Sequence, residues 1–86
     1  MTSLNGASVI VAGASGGLGA PLTQLLAEAG AKLTLTARRA EGLANLHPVA
    51  LGNGAVAVPA DLRKPGSAQS VVEVAMRTHG GVDGVV

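Results

Sequence analysis

The apolar positions of this chain fall into short runs separated by turns rich in glycine. Residues 8–12 (SVIVA) form a β-branched run, which is typical of a strand buried on both faces of a parallel sheet. Residues 20–29 (APLTQLLAEA) place their leucines at helical spacing, and Gly30 follows as a helix stop. Residues 32–37 (KLTLTA) alternate between polar and apolar side chains, which predicts a second strand.

The same alternation of elements continues through the second half of the chain. A third strand over residues 55–60 contains Pro59, whose missing N–H favours the edge of a sheet. Ser67 is predicted to be the N-cap of a helix over residues 68–79, which Gly80 and Gly81 end. The other predicted elements are a short helix over residues 40–46, closed by His47 and Pro48, and a strand over residues 84–86.

The order of these elements, β-α-β-α-β-α-β, indicates an α/β fold with a parallel sheet. Helices are expected on both faces of the sheet, and the helix over residues 68–79 has an apolar face formed by Val71, Val72, Ala75 and Met76. The predicted strand order is 3-2-1-4, the first half of a Rossmann-type doubly wound sheet. We therefore expect residues 1–86 to form one partial domain.

Composition narrows the classes of protein that remain. Hydrophobic residues make up 48% of the 86 residues, a composition typical of a folded chain rather than of a disordered one. The net charge of +1 excludes a strong global field for nucleic acid or a membrane, so any anion site must be local. The absence of cysteine excludes a disulfide scaffold and a thiolate metal site. Without a signal-peptide pattern or an apolar run of transmembrane length, we expect a cytoplasmic location.

Some residue types with chemical potential are predicted to be structural. His47 and His79 are isolated, with no acidic neighbour at metal-ligand spacing, so we predict no metal site. Both histidines are expected at the surface near helix ends. Met76 is expected in the core rather than in a site.

A glycine-rich turn, residues 13–19 (GASGGLG), joins the first predicted strand to the first predicted helix. A diphosphate needs backbone N–H donors without side chains in the way, and a helix N-terminus adds a positive potential. Gly13 is expected to make the tight turn, Gly17 to admit the pyrophosphate and Gly19 to let helix and strand pack closely. The Ser15 hydroxyl is available to a phosphate or ribose oxygen. The alternative is a sharp turn that binds no ligand, but the β-α-β context favours a dinucleotide.

The end of the second predicted strand reads Thr36-Ala37-Arg38-Arg39. NAD-binding sites often place Asp or Glu here to accept from the ribose 2′-hydroxyl, whereas the 2′-phosphate of NADP attracts a cation. Guanidinium groups bind phosphate in a bidentate manner. The missing carboxylate and the two arginines therefore favour NADP over NAD, the alternative being that one or both arginines are ordinary surface charges.

Asp61 follows the third predicted strand, at the edge where ligands bind in open α/β sheets. Its carboxylate is suited to accept a hydrogen bond from the amino group of adenine. A loop carboxylate is equally suited to cap nearby backbone N–H groups, and the sequence leaves both roles open.

Four segments, in this order, resemble the short-chain dehydrogenase/reductase family. Residues 13–19 are similar to its G-x-x-x-G-x-G loop, and residues 37–39 to the second-strand end of its NADP-preferring members. Residues 59–62 (PADL) resemble its adenine-contacting Asp segment, and residues 81–86 (GVDGVV) resemble the stretch that enters the fourth strand. Together they extend this resemblance over essentially the whole chain.

The resemblance implies that the glycine loop lines the cofactor phosphates, with Leu18 acting through its backbone. Arg38, with Arg39 as a second candidate, is implied to bind the 2′-phosphate, and Asp61 with the Leu62 backbone to hold the adenine. The candidate cofactor-binding residues are therefore Gly13, Ser15, Gly16, Gly17, Leu18, Gly19, Arg38, Arg39, Asp61 and Leu62.

The resemblance also implies a reaction, hydride transfer between NADP(H) and an alcohol or carbonyl substrate. The family's catalytic Ser and Tyr-x-x-x-Lys pair are expected beyond Val86, and the chain contains no tyrosine. We therefore assign no catalytic residue and expect the 86-residue chain alone to be inactive.

Some features depart from this pattern and leave alternatives open. Ala12 stands where the family usually has threonine, and Gly13, Gly16 and Gly19 also fit G-x-x-G-x-x-G. That spacing is similar to malate dehydrogenases and to extended epimerase-type relatives, although malate dehydrogenases have an acid at the position of Arg38. A stand-alone nucleotide-binding or regulatory module and a chain that does not fold stably are further alternatives. The remainder of an enzyme or a second copy is expected at the apolar outer edge of the fourth strand.

Overall fold

The computed structural model describes residues 5–13, 19–39 and 55–86. Its elements are β1 (Ser8–Ala12), α1 (Gly19–Glu28), β2 (Lys32–Ala37), β3 (Val56–Pro59), α2 (Ser67–His79) and β4 (Gly84–Val85). The four strands form one parallel sheet in the order β3-β2-β1-β4, so the predicted α/β fold and strand order are confirmed. The helix predicted over residues 40–46 lies outside the described residues. Neither α1 nor α2 is both long and apolar enough to span a bilayer.

Strand β1 lies inside the sheet, and helices cover both of its faces. Val11 packs in one cluster with Ala27 of α1, and Ile10 packs in another with Val71 and Ala75 of α2. Because successive side chains of a strand point to opposite faces, α1 and α2 lie on opposite sides of the sheet. This two-sided burial explains why the sequence of β1 does not alternate between apolar and polar residues.

Strand β3 forms one edge of the described sheet, as Pro59 predicts. Pro59 pairs in register with Ala37 of β2, and the N–H of Ala60 donates to the Ala37 carbonyl at 2.9 Å. The missing donor of Pro59 therefore faces no strand among the described residues.

Helix α1 (Gly19–Glu28) begins and ends one residue before the predicted bounds. Thr23 and Ala27, four residues apart, are buried, whereas Leu25 is 64% exposed. Gly30 follows the helix with a φ of 90°, and its N–H donates to the Ala27 carbonyl at 3.0 Å. This left-handed turn, which glycine adopts without a steric penalty, directs the chain into β2.

Helix α2 begins one residue earlier than predicted, because Gly66 rather than Ser67 is its N-cap. Gly66 has a φ of 81°, and no side chain caps this end of the helix. The Gly66 carbonyl accepts the first bond of the helix from the N–H of Ser70 at 3.1 Å, so Ser67 already belongs to the first helical turn. At the other end Gly80 also has a φ of 81° and donates its N–H to the Met76 carbonyl, which confirms the predicted stop.

The apolar face of α2 is narrower than predicted. Val71 and Ala75 are buried against the sheet, whereas Val72 and Met76 are 41% and 51% exposed. A residue one position further along a helix is rotated by about 100° around its axis, which carries these two side chains away from the sheet. The prediction of Met76 as a core residue is therefore wrong.

His79, the last residue of α2, is half-buried rather than a surface residue. Its Nε2 lies 3.0 Å from the carbonyl oxygen of Leu33 in β2, 46 positions away in the chain. Because a carbonyl oxygen only accepts, Nε2 carries the proton in this bond. The histidine thus ties the end of α2 to the second strand.

Candidate functional site

The carboxyl ends of β1, β2 and β3 meet at one edge of the sheet and line a cavity of about 430 Å³. Gly13 follows β1, Arg38 follows β2 and Asp61 lies just after β3, and all three residues line the cavity. Open parallel sheets bind their ligands at this edge. The other lining residues are Thr36, Ala37, Ala60, Leu62 and Arg63.

The structure brings together four of the predicted site residues around this cavity: Gly13, Arg38, Asp61 and Leu62. Two further candidates are described but do not line it, since Gly19 is buried at the start of α1 and Arg39 is exposed to solvent. The remaining candidates, Ser15, Gly16, Gly17 and Leu18, lie outside the described residues.

Gly13 leaves β1 with a φ of 67°. A Cβ at this position would meet no atom of the described residues within 4 Å, so among them space is not the reason for glycine. The reason is the backbone, because a left-handed conformation costs a residue with a Cβ roughly 1–2 kcal/mol. Gly13 therefore leaves the strand in a conformation that favours glycine, beside the cavity that it lines.

Helix α1 begins at Gly19, the last residue of the glycine-rich segment. Its first turn contains no acidic residue, so no carboxylate offsets the positive end of the helix dipole. Pro21 stands in this turn, where its missing N–H costs nothing because that group lacks a partner within the helix. The positive potential at this end of the helix therefore favours the binding of an anion.

Arg38 follows β2 directly and is exposed at the cavity. Its charge is close enough to contribute to the lowered pKa of Asp61, yet it forms no salt bridge with another described residue. Arg39 likewise has no salt bridge among the described residues. The Arg38 guanidinium is therefore available to an anionic group in the cavity.

Asp61 is held by Arg63, a residue that the sequence reasoning did not single out. Asp61 Oδ1 accepts from the backbone N–H and the Nε–H of Arg63, both at 3.0 Å, and Oδ2 accepts from Nη2 at 3.0 Å. These hydrogen bonds, with the charges of Arg63 and Arg38, lower the pKa of Asp61 to about 2. Asp61 thus caps a local N–H, as one of its two predicted roles requires, while its contact with adenine stays a prediction.

Of the cavity residues with polar side chains, two were not among the predicted site residues, Arg63 and Thr36. The signal for Arg63 is its position two residues after Asp61, within reach of the carboxylate. Thr36 is fully buried, and its Oγ1 has no hydrogen-bond partner among the described residues. No sequence pattern indicated this role, because threonine is common in strands and its presence in β2 needs no functional explanation.

The chemistry of this cavity is that of binding. Across the described ranges, no group of three His, Cys, Asp or Glu side chains could hold a metal ion. The cavity presents a cation from Arg38, a carboxylate from Asp61 and an apolar side chain from Leu62, which is 41% exposed. A phosphate, a hydrogen-bond donor and a flat base are the complementary ligand groups.

Comparisons with known proteins identify the family of this chain. A sequence model of the short chain dehydrogenase family matches residues 7–86. The hydroxysteroid 11-beta-dehydrogenase 1-like protein of Danio rerio is 39% identical to this chain over 87 residues. That match covers 98% of this chain and 30% of the length of the fish protein.

Solved structures of similar fold give the same assignment. The apo-form of glucose dehydrogenase from Caenorhabditis elegans aligns with a TM-score of 0.88 at 27% identity, covering 98% of this chain and 38% of that one. A short-chain type dehydrogenase/reductase from Mycobacterium marinum also aligns with a TM-score of 0.88 at 27% identity, covering 96% of this chain and 34% of that one. This chain spans about a third of the length of these relatives. By sequence and by fold, it belongs to the short-chain dehydrogenase family.

Proposed function

We propose that this chain is the NADP(H)-binding part of a short-chain dehydrogenase/reductase, with residues 1–86 forming the nucleotide-binding half of a Rossmann domain. The observation that carries the proposal is the end of β2, where no carboxylate is present and Arg38 lines the cavity without a salt bridge to a described residue. A carboxylate at this position would repel the 2′-phosphate of NADP, whereas a guanidinium attracts it. NAD, which lacks that phosphate, is the less favoured cofactor.

The residues around the cavity fit the adenosine half of NADP(H). We propose that Arg38 binds the 2′-phosphate, with Arg39 as a second contact, and that Asp61 accepts from the adenine amino group beside Leu62. The pyrophosphate is assigned to the glycine-rich sequence from Gly13 to Gly19 and to the N-terminus of α1. The cavity volume of about 430 Å³ lies within the usual range for small-molecule sites.

The proposed role of this chain is to bind and orient the cofactor. The cofactor supplies the hydride that is exchanged with an alcohol or carbonyl substrate. The chain contains no tyrosine, so the proton donor of the family is not among its residues. We accordingly assign it no catalytic residue and expect no turnover by the 86-residue chain on its own.

Chemical-shift mapping tests where the nucleotide binds. Adenosine 2′,5′-bisphosphate and adenosine 5′-monophosphate are titrated into the ¹⁵N-labelled chain, because the two ligands differ only in the 2′-phosphate. Both should shift the amides of Gly13, Asp61 and Leu62, and the bisphosphate should add shifts at Arg38. Shifts that avoid the carboxyl edge of the sheet, or no saturable shift with either ligand, would contradict the proposal.

A further inference from the structure

Arg63 donates three hydrogen bonds to the Asp61 carboxylate, more than a simple surface salt bridge has. Its Nε and Nη2 donate to different carboxylate oxygens, at 3.0 Å each, and its own backbone N–H donates to Oδ1 at 3.0 Å. The arginine side chain is 73% exposed, so the contact adds little to the stability of the fold. Its geometric effect is larger, because the three bonds together fix the plane and direction of the carboxylate.

The same bonds determine which acceptor position of Asp61 is left. An ionised carboxylate offers about four lone-pair positions, roughly two on each oxygen. Oδ1 already accepts two hydrogen bonds from Arg63, whereas Oδ2 accepts one. One position on Oδ2 therefore remains for a donor from a molecule in the cavity that both residues line.

We propose that Arg63 is a positioning residue of the adenosine site, which holds the Asp61 carboxylate so that its remaining acceptor position selects a base with an amino group. The inference rests on the proposed function, since it assumes that the cavity takes an adenine nucleotide. Adenine presents an N–H donor at its 6-position, whereas hypoxanthine presents a carbonyl oxygen there. A fixed carboxylate accepts from the first and repels the second.

This role differs from the role proposed for Arg38. Arg38 is expected to distinguish NADPH from NADH, because only NADPH has the 2′-phosphate. Arg63 is expected to act on both cofactors equally, because both contain adenine. Arg63 should instead increase the affinity for adenine relative to hypoxanthine, and this increase should depend on the Asp61 carboxylate.

The test compares NADPH with its deamino analogue, which carries hypoxanthine, by the fluorescence of the reduced nicotinamide. The unsubstituted chain, Arg63→Gln, Asp61→Ala and the double variant are titrated with both ligands. Arg77→Gln is the matched control, because Arg77 lies in the last turn of α2 and does not line the cavity. Circular dichroism of each variant establishes that the fold is retained.

The unsubstituted chain and the Arg77 variant should prefer NADPH over its analogue by about fivefold or more, the worth of one hydrogen bond. Arg63→Gln should bring this ratio close to one, and the double variant should behave like Asp61→Ala alone. An unchanged ratio in Arg63→Gln, or a parallel loss for both ligands, overturns the inference while the proposed function stands. Failure of the unsubstituted chain to bind either ligand overturns both.

Discussion

The carboxylate of Asp83 accepts a hydrogen bond of 2.8 Å from the backbone N–H of Ser8, 75 positions earlier in the chain. The backbone N–H of Asp83 returns a bond of 2.8 Å to the carbonyl of Ser8. One residue just before β4 thus satisfies both backbone groups at the start of β1. This pairing fixes the register in which the fourth strand joins the sheet.

Replacing Asp83 with alanine should destabilise the chain. Ser8 is 2% exposed, so its N–H would be left buried without an acceptor, at a cost of about 1–3 kcal/mol. Asp83→Asn keeps an acceptor oxygen and should lose less than half as much. Urea unfolding followed by circular dichroism measures both values, and an Asp83→Ala variant as stable as the unsubstituted chain would show that the bond contributes nothing.

Gly30 should tolerate substitution less well than other glycines with positive φ. A Cβ at Gly30 would lie 2.9 Å from the Cα of Asn5 and 2.8 Å from its Oδ1, in addition to the strain of a φ of 90°. Gly80→Ala is the control for φ alone, because its φ is 81° and no atom of a described residue lies within 4 Å of the added Cβ. Gly80→Ala should lose about 1–2 kcal/mol of the free energy of unfolding and Gly30→Ala distinctly more.

Gly81→Ala completes that series, since Gly81 has neither a positive φ nor an atom within 4 Å of the added Cβ. It should leave the free energy of unfolding nearly unchanged. If Gly30→Ala proved no more destabilising than Gly80→Ala, the close approach of Asn5 would not be part of the native fold.

The ion pair of Asp61 with Arg63 should make the stability of the folded chain depend on pH in acidic solution. The pKa of Asp61 is lowered from its ordinary value of 3.8 to about 2, chiefly by the hydrogen bonds from Arg63. A depressed pKa means that the pair stabilises the folded chain above pH 4 and that this contribution is lost as the pH falls from about 4 to about 2. Carboxyl ¹³C shifts should show Asp61 titrating near 2, and near its ordinary value in Arg63→Gln. An unchanged titration in that variant would exclude Arg63 as the cause.

The outer edge of β4 is a candidate surface for association with the remainder of an enzyme or with a second copy. Val85 and Val86 are 65% and 54% exposed, and no described strand covers this edge. Open apolar edges pair with other strands, so the isolated chain should associate as its concentration rises. Val85→Lys should suppress association, while Leu25→Lys, on the equally exposed face of α1, should not. Sedimentation velocity that finds monomers throughout would contradict this expectation.

Sequence patterns predicted the elements better than the contacts between them. The bounds of β1 and β2 are confirmed residue for residue, because burial on both faces of the sheet leaves few other arrangements. The contact of His79 with the Leu33 carbonyl joins positions 46 apart, and no local sequence pattern predicts such a contact. The exposure of Met76 depends on how α2 is rotated against the sheet, which helical spacing alone does not determine.

The candidate site was predictable to a similar degree. Gly13, Arg38 and Asp61 each follow a strand, so the parallel sheet necessarily brings them to one edge. Arg63 was missed because an arginine two residues after an aspartate has many conformations, and only the loop geometry turns its guanidinium back onto the carboxylate.

Parallel titrations with NADPH and NADH test most directly the proposal that the end of β2 binds the 2′-phosphate of NADP(H). The chain has no Trp, Tyr or Phe, so the fluorescence of the reduced nicotinamide is measured without interference. We predict saturable binding that favours NADPH over NADH. The ratio of the two dissociation constants should fall by about tenfold or more in Arg38→Ala and stay unchanged in Arg77→Ala. Equal binding of NADPH and NADH, or a preference that survives Arg38→Ala, would contradict the claim.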